Sequence, residues 1–240
     1  MRTSPFRDIW RLFFPNVCAV CGCALPDGDD FMCKYCQWEM PLTRFWERKD
    51  NPVAGKFHGH LPVVNASSFY FFVYRSGFRD LIHDFKYRGG WSIARKMGEW
   101  YGSELAASGL YDEIDLIVPV PLHIRKRISR GYNQSEYIAE GISAATGIPV
   151  DRRSVRRTTH NRSQTQRRKS ERWDNVEGIF AVRDPERLRG KHLLIVDDVL
   201  TTGATIISLG ETILRAVPGC RISIATLAVS KSELETTGRT

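Results

Sequence analysis

LLIVDDVLTTGAT, residues 193–205, passes from four apolar residues to two adjacent carboxylates, Asp197 and Asp198, and then to a turn rich in hydroxyls. A helical pattern follows, with Ile206, Leu209, Ile213 and Val217 on overlapping faces and Pro218-Gly219 as its stop. The pattern predicts a strand over 192–197, a polar loop, and a helix over 204–217. A helix N-terminus presents unpaired N–H groups and a partial positive charge, so a phosphate is favoured there. Thr201, Thr202 and Thr205 add hydroxyl donors, and Gly203 admits a close backbone approach. The run from Asp197 to Thr205, with Val199, Leu200 and Ala204 between the polar positions, is therefore the candidate phosphate site. The paired acids sit one loop away, suited to sugar hydroxyls or a divalent cation. A plainer reading makes Asp-Asp a helix cap and the threonines ordinary strand-end residues.

The same alternation recurs along the chain. Residues 63–74 are aromatic and β-prone, and Phe78, Leu81, Ile82 and Phe85 follow at helical spacing. Further helices are predicted over about 92–107 and over 134–146, the latter closed by Gly147. Strands are expected at 114–120, 148–156, 179–182 and 221–229. Strands alternating with helices argue for an α/β fold with a parallel sheet, whose ligands bind at the carboxyl ends of the strands. The loop after Val118, the basic region 153–175 and the turn after Val196 would gather there.

Five of the six cysteines fall between residues 18 and 36. Cys18-x-x-Cys21 and Cys33-x-x-Cys36 form two knuckles joined by a turn-rich loop, a spacing that lets four thiolates surround one zinc tetrahedrally. Cys23 competes with Cys21 as a ligand, and the CxxC spacing favours Cys21. Four thiolates make a closed, structural site. Cys220 precedes an apolar strand and reads as a buried hydrophobe.

Net charge is +8, and the excess is local. Nine basic residues lie between Arg152 and Arg172, and Arg125, Lys126, Arg127 and Arg130 form a second cluster. Such density calls for pyrophosphate, nucleic acid or solvent as its counter-charge. No apolar run is long enough to span a bilayer, so no membrane insertion is expected. Charges interrupt the apolar character of the first residues, so a secretory signal is not expected either. A cytoplasmic location with reduced thiols follows as an expectation. The expected organisation is an N-terminal helix and zinc ribbon over 1–45, a linker over 46–62, the α/β domain over 63–232 and a tail over 233–240.

The run 193–205 resembles the PRPP-binding loop of type I phosphoribosyltransferases. VPVPLH at 118–123, RGYNQS at 130–135, Ser163-Gln164 with ERWDNVEGIF at 171–180, and YRSGFRDLIHDFKYRGG at 74–90 together resemble the ComF family, competence-associated phosphoribosyltransferase-like proteins with a four-cysteine zinc ribbon. The resemblance implies a type I phosphoribosyltransferase-like parallel sheet flanked by helices. It implies that Asp197 and Asp198 grip the ribose hydroxyls of PRPP, that residues 201–205 wrap its 5-phosphate, and that Mg²⁺ accompanies the substrate. Arg125 and Arg127 then become pyrophosphate-loop candidates, and 156–169, with Gln164, a mobile loop that closes over the site. Arg130 and Asn133 are either ligand contacts or residues of the turn and cap before 134. Two functions remain open at this point. One is a Mg²⁺-dependent pentosyl transfer to an acceptor the sequence does not name. The other is a DNA-uptake protein that meets single-stranded DNA or a competence helicase, with the PRPP site regulatory or vestigial. Oligomeric state cannot be read from the chain.

Overall fold

The computed structural model describes residues 16–26, 31–72, 77–84, 90–122, 131–158 and 179–235. Its centre is a four-stranded, wholly parallel sheet. The strands are β1 (Ala66–Phe72), β2 (Leu116–Pro119), β5 (His192–Leu200) and β6 (Arg221–Ser230), in the order β1-β6-β5-β2. Two short strands, β3 (Val155–Arg157) and β4 (Phe180–Val182), pair antiparallel beside it. The helices in chain order are α1 (Lys34–Trp38), α2 (Pro52–Gly55), α3 (Gly77–Asp84), α4 (Trp91–Ser108), α5 (Gln134–Thr146), α6 (Pro185–Leu188), α7 (Ala204–Ala216) and α8 (Lys231–Glu235).

β5 shows why the sheet is central. Leu193 and Ile195 pack in one apolar cluster with Ile206, Leu209 and Ile213 of α7, while Leu194 and Val196 join another with Met97, Tyr101, Ile138 and Ile142 of α4 and α5. Period-two alternation with both faces apolar is the signature of a parallel strand covered on both sides.

α5 spans its predicted residues, and Gly147 ends it at φ 75° with its N–H bonded to the Ser143 carbonyl at 2.8 Å. α4 and α5 touch through glycine. A β-carbon on Gly141 would collide with the Arg95 carbonyl, and one on Gly98 with the Ile138 carbonyl. Gly141→Ala is expected to force the helices apart and to cost roughly 3 kcal/mol, as overpacked cores do. A urea midpoint unchanged from wild type would contradict that contact.

Several boundaries differ from expectation. β5 does not stop at Asp197; it runs on to Leu200, because Asp197, Val199 and Leu200 continue the register with Thr226, Ala228 and Val229 of β6. In 148–156 only Val155 and Arg156 enter a strand, while Val150 makes a single parallel bridge to Ile117. α6 has no counterpart in the sequence reading, and residues 231–235 are helical rather than frayed. Residues 46–62, read as a linker on their Pro, Gly, His and charge, are packed instead. Trp46, Val53, Phe57 and Leu61 are buried, and Asn51 caps α2 by accepting from Val53 N and Ala54 N at 2.9 and 3.1 Å. Asn51 also donates to the Ala66 carbonyl of β1 at 2.9 Å. Leu61 fills the space over Gly210 of α7, and Lys56 reaches the Glu233 carbonyl at 2.6 Å.

Candidate functional site

At the carboxyl end of β5 the chain turns through Thr201, Thr202 and Gly203 into α7. Gly203 has φ 81°, a left-handed conformation that a side chain would strain, and its α-carbon faces Phe57, whose ring would meet a β-carbon at 3.4 Å. Thr202 Oγ1 accepts from Ala204 N at 3.4 Å, and the Gly203 carbonyl accepts from Ile207 N at 2.9 Å. Asp197 and residues 199–206 line one cleft with about 230 Å³ of open space. The first turn of α7 forms part of its wall, and first-turn N–H groups have no intrahelical acceptor. Among the described residues the cleft therefore offers amide and hydroxyl donors and no cationic side chain.

Asp197 accepts from Ser135 Oγ at 2.9 Å and from Asp198 N at 3.0 Å, while Asp198 accepts from Val199 N at 2.7 Å. Burial of its carboxylate and the neighbouring charge of Asp198 push the Asp197 carboxyl up to about 7; Ser135, the Asp198 amide and Arg157 pull the other way. A carboxyl that holds its proton near neutrality on a cleft wall is a group the fold alone does not require. It can accept from a hydroxyl when ionised and donate when protonated.

A much larger opening of about 1540 Å³ is lined by Pro121 and Leu122 after β2, Glu136 of α5, Arg152, Arg153, Val155, Arg156, Arg157 and Thr158, and Arg183 after β4. All its cations but Arg183 come from the described start of the basic region.

The four sulfurs of Cys18, Cys21, Cys33 and Cys36 all lie within 4.8 Å of one another, and those of Cys21 and Cys33 are 3.8 Å apart. A tetrahedral ion with bonds of about 2.3 Å sets its sulfurs roughly 3.8 Å apart, so the set could hold a metal ion. The Cys33 amide donates to Cys18 Sγ at 3.4 Å, and the Cys36 amide to Cys33 Sγ at 3.5 Å. The Cys23 amide and thiol lower the Cys21 thiol to about 6, while its bond to Cys21 pushes Cys23 up to about 12. Burial pushes Cys18 up, but the amides of Cys21, Cys33 and Val20 more than offset it, and its net shift is downward. Cys23 is outside the four-sulfur set, although its sulfur lies 3.3 Å from that of Cys21.

Asn133 is buried, and its amide donates to the Val120 carbonyl at 3.0 Å and to Glu136 Oε1 at 3.3 Å. It ties the segment after β2 to α5, without capping the helix through its side chain. Arg125, Arg127, Arg130 and Gln164 lie outside the described residues. Ser135, Arg157, Arg183 and Phe57 were not singled out as site residues. Ser135 had a signal as the last residue of RGYNQS and Arg157 as a member of the basic region; Arg183 and Phe57 reach the site through tertiary packing.

The phosphoribosyl transferase domain model matches residues 101–237, more than half of the chain and every residue lining the two openings, but not the cysteine set or Phe57. The chain belongs to the phosphoribosyl transferase domain family. Among curated relatives, the chain is 35% identical to the DNA utilization protein YhgH of Escherichia coli (strain K12) over 101 residues, 42% of this chain and 44% of that one. It is 27% identical to the competence protein ComFC of Bacillus subtilis (strain 168) over 157 residues, 65% and 61% of the two chains. It is 30% identical to competence protein F of Haemophilus influenzae over 93 residues, 38% and 41%. Within the phosphoribosyl transferase family it is a ComF member, as its motifs anticipated. The chain spans less than half the length of the first of these relatives. Among solved structures, the allosteric regulatory enzyme of purine biosynthesis matches at 21% identity with a TM-score of 0.39, over 56% of this chain and 26% of that one. The Leishmania donovani hypoxanthine-guanine phosphoribosyl transferase matches at 17% identity with a TM-score of 0.35, over 61% and 72%. Among the described residues no helix is long and apolar enough to cross a membrane.

Proposed function

We propose that this protein binds PRPP in the cleft at the carboxyl end of β5, and that it is a phosphoribosyltransferase-like protein of DNA uptake. The observation that carries this is the lining itself: the Asp197 carboxyl and the donor-rich turn Thr201–Thr205 share one cleft, with Asp198 next to Asp197 in the chain. Asp197 and Asp198 accept from the ribose 2- and 3-hydroxyls. Thr201, Thr202, Thr205 and the first amides of α7 donate to the 5-phosphate. Ser135 holds the Asp197 carboxylate in place. Among the described residues the only group of three or more clustered metal-ligating side chains is the cysteine set, so Mg²⁺ fits as an ion carried on the pyrophosphate. Bound there, Mg²⁺ neutralises charge gathering on the leaving group. Arg157, whose charge acts on Asp197, suits the same charge. Zinc suits the cysteine set, where it serves structure. The location proposed is cytoplasmic, consistent with reduced thiols.

A second reading, contact with single-stranded DNA or a helicase through the ribbon, is favoured by one observation. Tyr35 and Trp38 of α1 are 72% and 86% exposed, and exposed aromatics serve as stacking or docking platforms.

Calorimetric titration with Mg²⁺-PRPP tests the main reading. The wild type is expected to bind, and Asp198→Asn to bind on the order of 100-fold more weakly, as loss of a charged hydrogen-bond acceptor predicts. A folded wild type that takes up no PRPP would end it.

A further inference from the structure

The two openings differ in charge in a way that PRPP alone does not account for. Among the described residues the PRPP cleft has no cationic lining, whereas the larger opening has Arg152, Arg153, Arg156, Arg157 and Arg183 against one lining acid, Glu136. Arg152 is engaged by Glu140 at 2.5 Å. Among the described residues, Arg153, Arg156 and Arg183 have no carboxylate partner. The Arg157 guanidinium lies over the Phe180 ring at 5.5 Å, and its Nε is buried without a hydrogen bond among the described residues. A buried guanidinium N–H left unpaired is costly, and an anion in the opening would relieve the charge around it. A pyrophosphate carrying about three negative charges and one Mg²⁺ presents roughly one net charge, too little to balance this group. The surplus suits one further dianion of about −2, the charge of a phosphomonoester. The open space of about 1540 Å³ exceeds what a pyrophosphate fills, and Leu122 and Val155 supply apolar wall for an organic body.

We infer that this opening seats an organic phosphomonoester other than PRPP, its phosphate held by the arginine forks and its body against Leu122 and Val155. Its standing as a second ligand rests on the PRPP reading, but its binding is measured separately. The probe is phenyl phosphate, with benzyl alcohol as the uncharged control, titrated into protein saturated with Mg²⁺-PRPP. Phenyl phosphate is expected to bind at least about 30-fold more tightly than the alcohol, as charge-assisted bidentate contacts require. The double variant Arg153→Gln with Arg183→Gln, both on the exposed rim, is expected to lose about tenfold or more of that affinity. Its affinity for Mg²⁺-PRPP is expected to stay within about threefold of wild type. Equal binding of the two probes, displacement of phenyl phosphate by Mg²⁺-PRPP, or an unaltered double variant would each overturn the inference. If PRPP fails to bind while phenyl phosphate binds and the variant loses it, the PRPP reading falls and the phosphate site stands. A nucleoside 5′-monophosphate and a 5′-phosphorylated oligonucleotide, each against its dephosphorylated form, separate a free nucleotide from a strand end as the source.

Discussion

Cys33→Ser is expected to release one zinc per chain and to unfold the segment around residues 16–40. A segment this short buries too little apolar area to fold alone, so a metal held by the four cysteines would supply on the order of 10 kcal/mol toward its folding. Cys33 is suited to the test because it serves twice: its sulfur belongs to the four-sulfur set and accepts from the Cys36 amide at the start of α1. The damage is expected to spread. Cys18, Met32, Cys36 and Met40 share a core cluster with Trp46, Phe69 and Tyr101, and Val20 packs against Gly77 at the head of α3. Zinc release measured with a colorimetric chelator, beside limited proteolysis, checks this. A variant that keeps one tightly held zinc would refute the four-cysteine assignment. Cys23→Ser is the matched control and should keep its metal, since Cys23 lies outside the set.

Asp197→Asn is expected to move affinity and stability in opposite directions. An asparagine keeps an oxygen for Ser135 and for the Asp198 amide, so the local hydrogen bonds survive. It removes the charge that burial and Asp198 oppose. The folded Asp197 carboxyl holds its proton up to about pH 7, whereas an unfolded Asp gives it up near pH 4. The folded state therefore binds more protons in that window, and its stability falls as pH rises from about 4 through about 7, then levels off. The substitution should stabilise the unliganded protein by a few kcal/mol at pH 8 and by nothing measurable below about pH 4. In the same protein, PRPP affinity should drop by on the order of 100-fold through loss of the ribose acceptor. Thermal melts at pH 4 and pH 8, with and without Mg²⁺-PRPP, read both effects. A variant less stable than wild type at pH 8 would show that Asp197 serves the fold rather than a ligand.

Local chemistry explains what the sequence made legible. The strand, acid pair and threonine turn at 193–205 are contiguous, and α5 carries its own stop in Gly147. The cysteine spacing is likewise a local statement. What stayed hidden depends on contacts between distant residues. Residues 46–62 look like a linker because Pro, Gly, His and charge dominate them, although Val53, Phe57 and Leu61 recur at i, i+4 and i+8 and pack in one cluster, with Trp46 in the other. Arg157 reaches the field of Asp197, and Arg183 the basic opening, only through the β3–β4 pair. The continuation of β5 to Leu200 was masked by its two acids, which polarity marks as loop although the backbone ladder with β6 tolerates them.

Phe57 beneath Gly203 and Leu61 over Gly210 give the stretch after the cysteines a part in shaping the cleft proposed to hold PRPP. A chain trimmed to begin at residue 63 would leave an oily trench along α7 and an unbacked elbow where the 5-phosphate should rest. The stretch 46–62 is therefore not an interchangeable spacer: a replacement from another protein would have to carry its own wedge for that elbow, or the graft would fold and is expected to grip PRPP poorly.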